Sequence, residues 1–170
     1  ATAVLTRSTT GTPVTLNKSL VPTSINGGGL SLLTISLANN NAGALNLTNV
    51  ALTDTFPLGM VVASPANAAF TGAGCTAGTI TATPNTDFVT LSGATVNANS
   101  VCELTLQVTG LRDGNLVNSI PTGSLTSAQS VSNNNTPAAT LTVLRNVGIG
   151  KVFSPAVIQS GGTSTLLVTV

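Results

Sequence analysis

Residues 101–110 read VCELTLQVTG. Cys102, Leu104, Leu106 and Val108 fall on one side of an extended chain, and Glu103, Thr105 and Gln107 fall on the other. A period of two marks a half-buried antiparallel strand, here with Cys102 facing inward. The pattern recurs: Leu33, Ile35 and Leu37 alternate in LLTISL, Val50 and Leu52 in NVALTDTF, and Leu141 and Val143 in ATLTVL. Shorter strands are expected around 79–83, 88–91, 116–120 and 124–127. Turn signals separate them: NGGG at 26–29, NNNAG at 39–43, FPLG at 56–59, RDGN at 112–115 and SNNNTP at 132–137. Helical periodicity is scarce. Short alternating strands punctuated this often predict an all-β fold, an antiparallel β-sandwich of about seven or more strands.

Composition supports a folded chain and removes several functions. Charged residues make up 5% of the sequence, against roughly 25% in ordinary soluble domains. Disordered chains combine high net charge with low hydrophobicity. This one is 42% hydrophobic with a net charge of +1. So small a charge gives no electrostatic basis for binding nucleic acid or an anionic membrane. No apolar run approaches the ~20 residues of a membrane span. The N-terminal ATAVLTRSTT lacks the basic and apolar regions of a signal peptide.

The chain also repeats itself. KSLVPTSINGGGLSLLTISL (18–37) aligns without a gap on KVFSPAVIQSGGTSTLLVTV (151–170), at an offset of 133 residues. Lys18 matches Lys151, Pro22 matches Pro155, and Gly28 and Gly29 match Gly161 and Gly162. Ile25 matches Ile158, and Leu33, Ile35 and Leu37 match Leu166, Val168 and Val170. Upstream, ATAVLTR (1–7) echoes ATLTVLR (139–145) at an offset of 138, so the linkers that follow differ in length. The expected parsing is an end strand of a preceding repeat plus linker over 1–12, a complete sandwich over 13–145, and the opening strands of the next repeat over 146–170.

The segments LTNVALTDTFPLGMVVA (47–63), K-S-x-x-P followed by GGG, and NTPAATLTV (135–143) resemble a known tandem repeat. It is the conserved-repeat domain of unknown function numbered eleven, with its close relatives, found in large secreted bacterial and archaeal surface proteins. The resemblance implies an immunoglobulin-like sandwich repeated head to tail on a cell surface or in an extracellular fibre. It implies no enzyme activity and brings no catalytic residues. Cys75 and Cys102 resemble a pair that many of these repeats carry. Independently, an even pair of cysteines in a chain this poor in charge suggests a disulfide and an oxidising compartment. Two thiols without histidine fall short of a closed zinc site, which leaves metal binding as the weaker reading.

The residues themselves point away from catalysis. The sequence contains no His, so Ser-His-Asp and Cys-His arrangements cannot be built. Its four acids, Asp54, Asp87, Glu103 and Asp113, are scattered. Asp113-Gly114-Asn115 reads as an ordinary turn and is too short for a calcium-loop signature. No cofactor is expected. Trp and Tyr, on which sugars usually stack, are absent. The sequons at Asn17, Asn46 and Asn134 are expected by chance in a chain so rich in Asn and Thr. Asp54 interrupts the apolar face of its strand just before Phe56-Pro57. It is expected to be a strand-end acid bonding turn amides. The sharper alternative joins Lys18 covalently to an Asn on the last strands, assisted by Asp54 as a buried acid.

Two functions remain. The first is a structural repeat unit of a secreted cell-surface protein or extracellular filament, assembled end to end through other copies or adjoining repeats. Its expected interface is the apolar set Val152, Phe153, Ile158, Leu166, Val168 and Val170, since an exposed alternating strand invites completion by another. The second is an adhesin or ligand-binding module, in which the segment 64–78, clamped by Cys75, meets a surface or glycan receptor.

Overall fold

The computed structural model describes residues 11–41 and 45–170. The strand expected over residues 1–7 lies outside the described residues. Among those described, every regular element is a strand. In chain order they are β1 (Thr15–Val21), β2 (Ser24–Asn26), β3 (Leu30–Asn39), β4 (Leu47–Thr55), β5 (Met60–Val62), β6 (Ala69–Thr71) and β7 (Cys75–Thr76). Then follow β8 (Thr79–Thr81), β9 (Phe88–Val96), β10 (Ser100–Gly110), β11 (Gly114–Ser119), β12 (Ala138–Leu144), β13 (Gly150–Ser154) and β14 (Thr165–Thr169).

One sheet runs β1-β3-β10-β5, with β6 also pairing to β10. A second is built on β4 and β9, with β7 and β8 both lying along β9. A third, β11-β12-β2, contains one parallel pair, β12 with β2. The inward faces of all three share one core. Leu33, Ile35 and Leu37 of β3 and Cys102, Leu104, Leu106 and Val108 of β10 are all buried, as alternation requires. Val50 and Leu52 of β4 and Leu141 and Val143 of β12 face them. This is the β-sandwich the periodicity predicts.

A bulge sets the phase of β4. Strict alternation from Leu47 would turn Asn49 and Ala51 inward. Instead the β4–β9 register shifts between Leu47 and Val50 and again before Leu52, with Asn49 at a φ of 50°. One residue is absorbed, so Leu47 and Val50 both point to the core. Leu52, Asp54 and Phe56 then follow on the buried side.

Several expected boundaries move. The strand near 88–91 continues to Val96, that near 79–83 stops at Thr81, and that near 116–120 runs over Gly114–Ser119. The segment 124–127 forms no strand; Thr126 makes a single bridge to Ala51. The reason is Asn133, buried beneath this loop. Its side-chain oxygen accepts from the Leu125 amide at 2.9 Å, and its NH2 donates to the carbonyls of Pro121 and Asn135. Side-chain amides thus take up backbone groups that a ladder would otherwise satisfy.

The hairpin β13–β14 pairs with itself and with no other sheet. Its register sets Lys151 opposite Val168 and Phe153 opposite Leu166. In β1–β3, Lys18 lies opposite Ile35 and Leu20 opposite Leu33. The connections agree as well. The Ser31 hydroxyl donates to the Pro22 carbonyl at 2.7 Å, and the Ser164 hydroxyl donates to that of Pro155 at 2.7 Å. The Gly29 amide reaches Asn26 and the Gly162 amide reaches Gln159, both at 2.8 Å.

Candidate functional site

Three strands each carry one polar side chain where alternation calls for an apolar one. On β1, Lys18 stands between Leu16 and Leu20; on β4, Asp54 stands between Leu52 and Phe56; on β11, Asn118 is flanked inward by Leu116 and Ile120. All six flanking residues are buried. The three polar groups meet inside the sandwich. Lys18 Nζ lies 2.6 Å from Asp54 Oδ1, and the two side chains are 0% and 1% exposed. Asn118 Nδ2 donates to the other carboxylate oxygen, Oδ2, at 3.1 Å. Asn118 Oδ1 is buried without a hydrogen-bond partner.

The pair bridges layers, because β1 belongs to the β3–β10 sheet and β4 to the β9 sheet. Burial dominates the electrostatics. Desolvation pushes the Lys18 ammonium below the usual lysine range, opposed by the nearby Asp54 charge and hydrogen bond. Desolvation pushes the Asp54 carboxyl up, opposed by Lys18 and then by the Asn118 hydrogen bond. Both shifts favour the neutral forms, and the 2.6 Å contact links the two groups directly. Asp54 therefore does not bond turn amides as the sequence suggested; the bulge in β4 carries it inward to a cation and an amide.

Cys75 and Cys102 form the expected disulfide. It ties β7, on the β9 sheet, to β10 on the other, with Cα atoms 4.7 Å apart. Gly74 makes the approach feasible: a Cβ there would collide with the backbone carbonyl of Val101. The segment 64–78 is held down by β6 against β10, by β7 against β9, and by the disulfide.

Two of the other acids, Asp113 and Glu103, are occupied elsewhere. Asp113 accepts two hydrogen bonds from the Arg145 guanidinium, at 3.1 and 3.3 Å on the surface. Those bonds hold its carboxyl below the usual range. Glu103 faces outward and accepts from the Ser36 hydroxyl at 2.9 Å. Among the described residues, no three His, Cys, Asp or Glu side chains gather where they could hold a metal ion.

Every residue of the apolar set on the hairpin is exposed: Val152, Phe153, Ile158, Leu166, Val168 and Val170. Five of them align with core positions of the first copy. Leu20 is 3% exposed and Ile35 0%, whereas their counterparts Phe153 and Val168 are 58% and 48% exposed. Val152 aligns with the exposed Ser19 and pairs with Leu167, on the opposite face of the hairpin.

Fold and site define an immunoglobulin-like β-sandwich with a polar cluster sealed in its core. A solved structure shares the architecture. A cohesin module from a family 33 glycoside hydrolase of Clostridium perfringens ATCC13124 superposes with a TM-score of 0.56 at 6% identity, over 79% of this chain and 99% of that one. A collagen-binding domain from a Staphylococcus aureus adhesin gives a TM-score of 0.43 at 11% identity, over 79% and 98%. No curated protein matches at a significant level. Residues 13–143 match the model of the family described as Domain of unknown function (DUF7933), and the chain belongs to that family.

Proposed function

We propose that this chain is a structural repeat unit of a secreted cell-surface protein or extracellular filament, joined end to end to further copies or adjoining repeats of the same sequence. The observation that carries this reading is the β13–β14 hairpin. It keeps the register and turn hydrogen bonds of β1–β3, yet turns outward the side chains that β1–β3 buries. Covering an apolar side chain of this size is worth about 1.5–3 kcal/mol. Phe153, Ile158, Leu166, Val168 and Val170 together therefore favour a complementary layer strongly. The fitting partner is another stretch of this same domain, since that is what covers the equivalent face in the first copy.

A binding or structural role fits a sequence without the histidine of a Ser-His-Asp or Cys-His set, in which the Lys18–Asp54 pair is closed to substrate. An extracellular location fits the closed disulfide between the sheets. No helix among the described residues is long and apolar enough to cross a membrane. An adhesin role would instead use the pinned segment 64–78 as a fixed recognition surface.

The test replaces Leu166 and Val168 together by Asp. End-to-end association, followed by electron microscopy and sedimentation, is expected to disappear while the sandwich over 13–145 stays folded. Unchanged association would rule out the hairpin as the joining element. A variant that remains a soluble monomer, alongside a wild type that does the same and binds in a glycan or cell screen, would support the adhesin role instead.

A further inference from the structure

The Lys18–Asp54–Asn118 cluster is expensive as a purely structural device. Buried ion pairs are often no better, and frequently worse, than well-packed apolar residues of similar volume. This one also leaves an amide oxygen buried without a donor. The same three groups are, however, a complete set of reactants: an amine, a primary amide and a carboxyl that touches both. We propose that Lys18 and Asn118 become joined by an amide bond inside the folded chain, with Asp54 as the proton carrier. The inference stands on the cluster alone and holds whichever partner the module has.

The step balances without any added reagent. The Lys18 ammonium passes a proton to Asp54 along the 2.6 Å contact, freeing the lone pair on Nζ. Nζ adds to Cγ of Asn118, whose oxygen takes the electron pair of the carbonyl double bond. The protonated Asp54 stabilises that oxygen by donating to it. This requires a half-turn of the Asn118 amide, which exchanges its nearly indistinguishable ends and gives the orphan oxygen a donor. Asp54 then carries the proton lost by Nζ to Nδ2. The Cγ–Nδ2 bond breaks and ammonia leaves. The products are a secondary amide between Nζ and Cγ and one ammonia. The proton first taken from the Lys18 ammonium stays on Asp54 or leaves with the ammonia as ammonium, which returns the carboxylate, and nothing is oxidised or reduced.

The surroundings suit the reaction. The amine and carboxyl are sealed from water, so hydrolysis of the adduct has no nucleophile. Burial drives the amine toward its nucleophilic neutral form and the carboxyl toward its donating form. The fold holds the reacting groups together on three separate strands, which supplies the proximity such a step needs.

Mass spectrometry of the folded wild type, unfolded without reductant, decides the matter. The expected mass is about 17 Da below that of the disulfide-closed sequence, one ammonia having been lost. After reduction and tryptic digestion, the Lys18 and Asn118 peptides should appear as one branched species, uncleaved at Lys18. A succinimide at Asn26-Gly27 would also release ammonia but leaves linear peptides with Lys18 free, and that result overturns the proposal. So does full mass in the folded wild type. Lys151, exposed on β13, is the internal control and should remain a free, acetylatable amine. Lys18→Met and Asp54→Asn should both show full mass; a linked Asp54→Asn protein would remove Asp54 from the role. If that variant does not fold, the wild-type peptide map still decides whether the bond exists.

Discussion

Lys18→Met isolates the electrostatics of a single carboxyl. It removes the cation beside Asp54 and leaves the burial that pushes the Asp54 pKa up. A carboxyl whose folded pKa is raised contributes stability that is full below its ordinary value of about 3.9 and is lost as pH rises through the folded value. The melting temperature of Lys18→Met should therefore fall as pH rises from about 4 to about 7. The double variant Lys18→Met/Asp54→Asn should lose that slope. A flat profile in the single variant would mean that water reaches Asp54. Part of this site is legible in the sequence. Asp54 stands out as an acid on an apolar face, and Lys18 in LNKSL and Asn118 in LVNSI break alternation in the same way. Nothing local tells which of these interruptions meet. That depends on how β1, β4 and β11 are stacked, and on a bulge at Asn49 that no turn signal announces.

Long strands announce themselves because alternation over seven to eleven residues leaves little ambiguity, as in β10 and β3. Strands of two or three residues, such as β5, β6 and β7, hold too few positions to alternate; their partners β9 and β10 create them. The segment 124–127 shows the converse, a strand-like composition whose backbone is claimed by the Asn133 side chain. The disulfide is the strongest tie between such short pieces and the body of the sandwich. It closes a loop of 27 residues. In the chain-entropy model, losing it should cost about 3.5 kcal/mol, measurable as the difference in urea unfolding between wild type and Cys75→Ala/Cys102→Ala. A loss below about 1 kcal/mol would indicate that the unfolded chain keeps residual structure between residues 75 and 102 without it. Gly74→Ala should impede the same closure, and free thiols titrated after oxidative refolding would report it.

For the molecule as a whole, the order of its fastenings along the chain matters more than their number. The Cys75–Cys102 loop is nested inside the span from Lys18 to Asn118. If the chain is pulled by the two ends of its sandwich, near residues 13 and 145, a bond between Lys18 and Asn118 carries the load directly. The ~100 residues between them never enter the force path. With an extended length of ~3.5 Å per residue, about 110 Å of chain can pay out, before subtracting the folded end-to-end distance. Without that bond, but with the disulfide intact, about 370 Å can. Single-molecule stretching of wild type and Lys18→Met should separate these two lengths. A surface thread made of such units would pay out about a third of the length that unlinked units release, with its slack confined to the few residues before Lys18 and the stretch after Asn118.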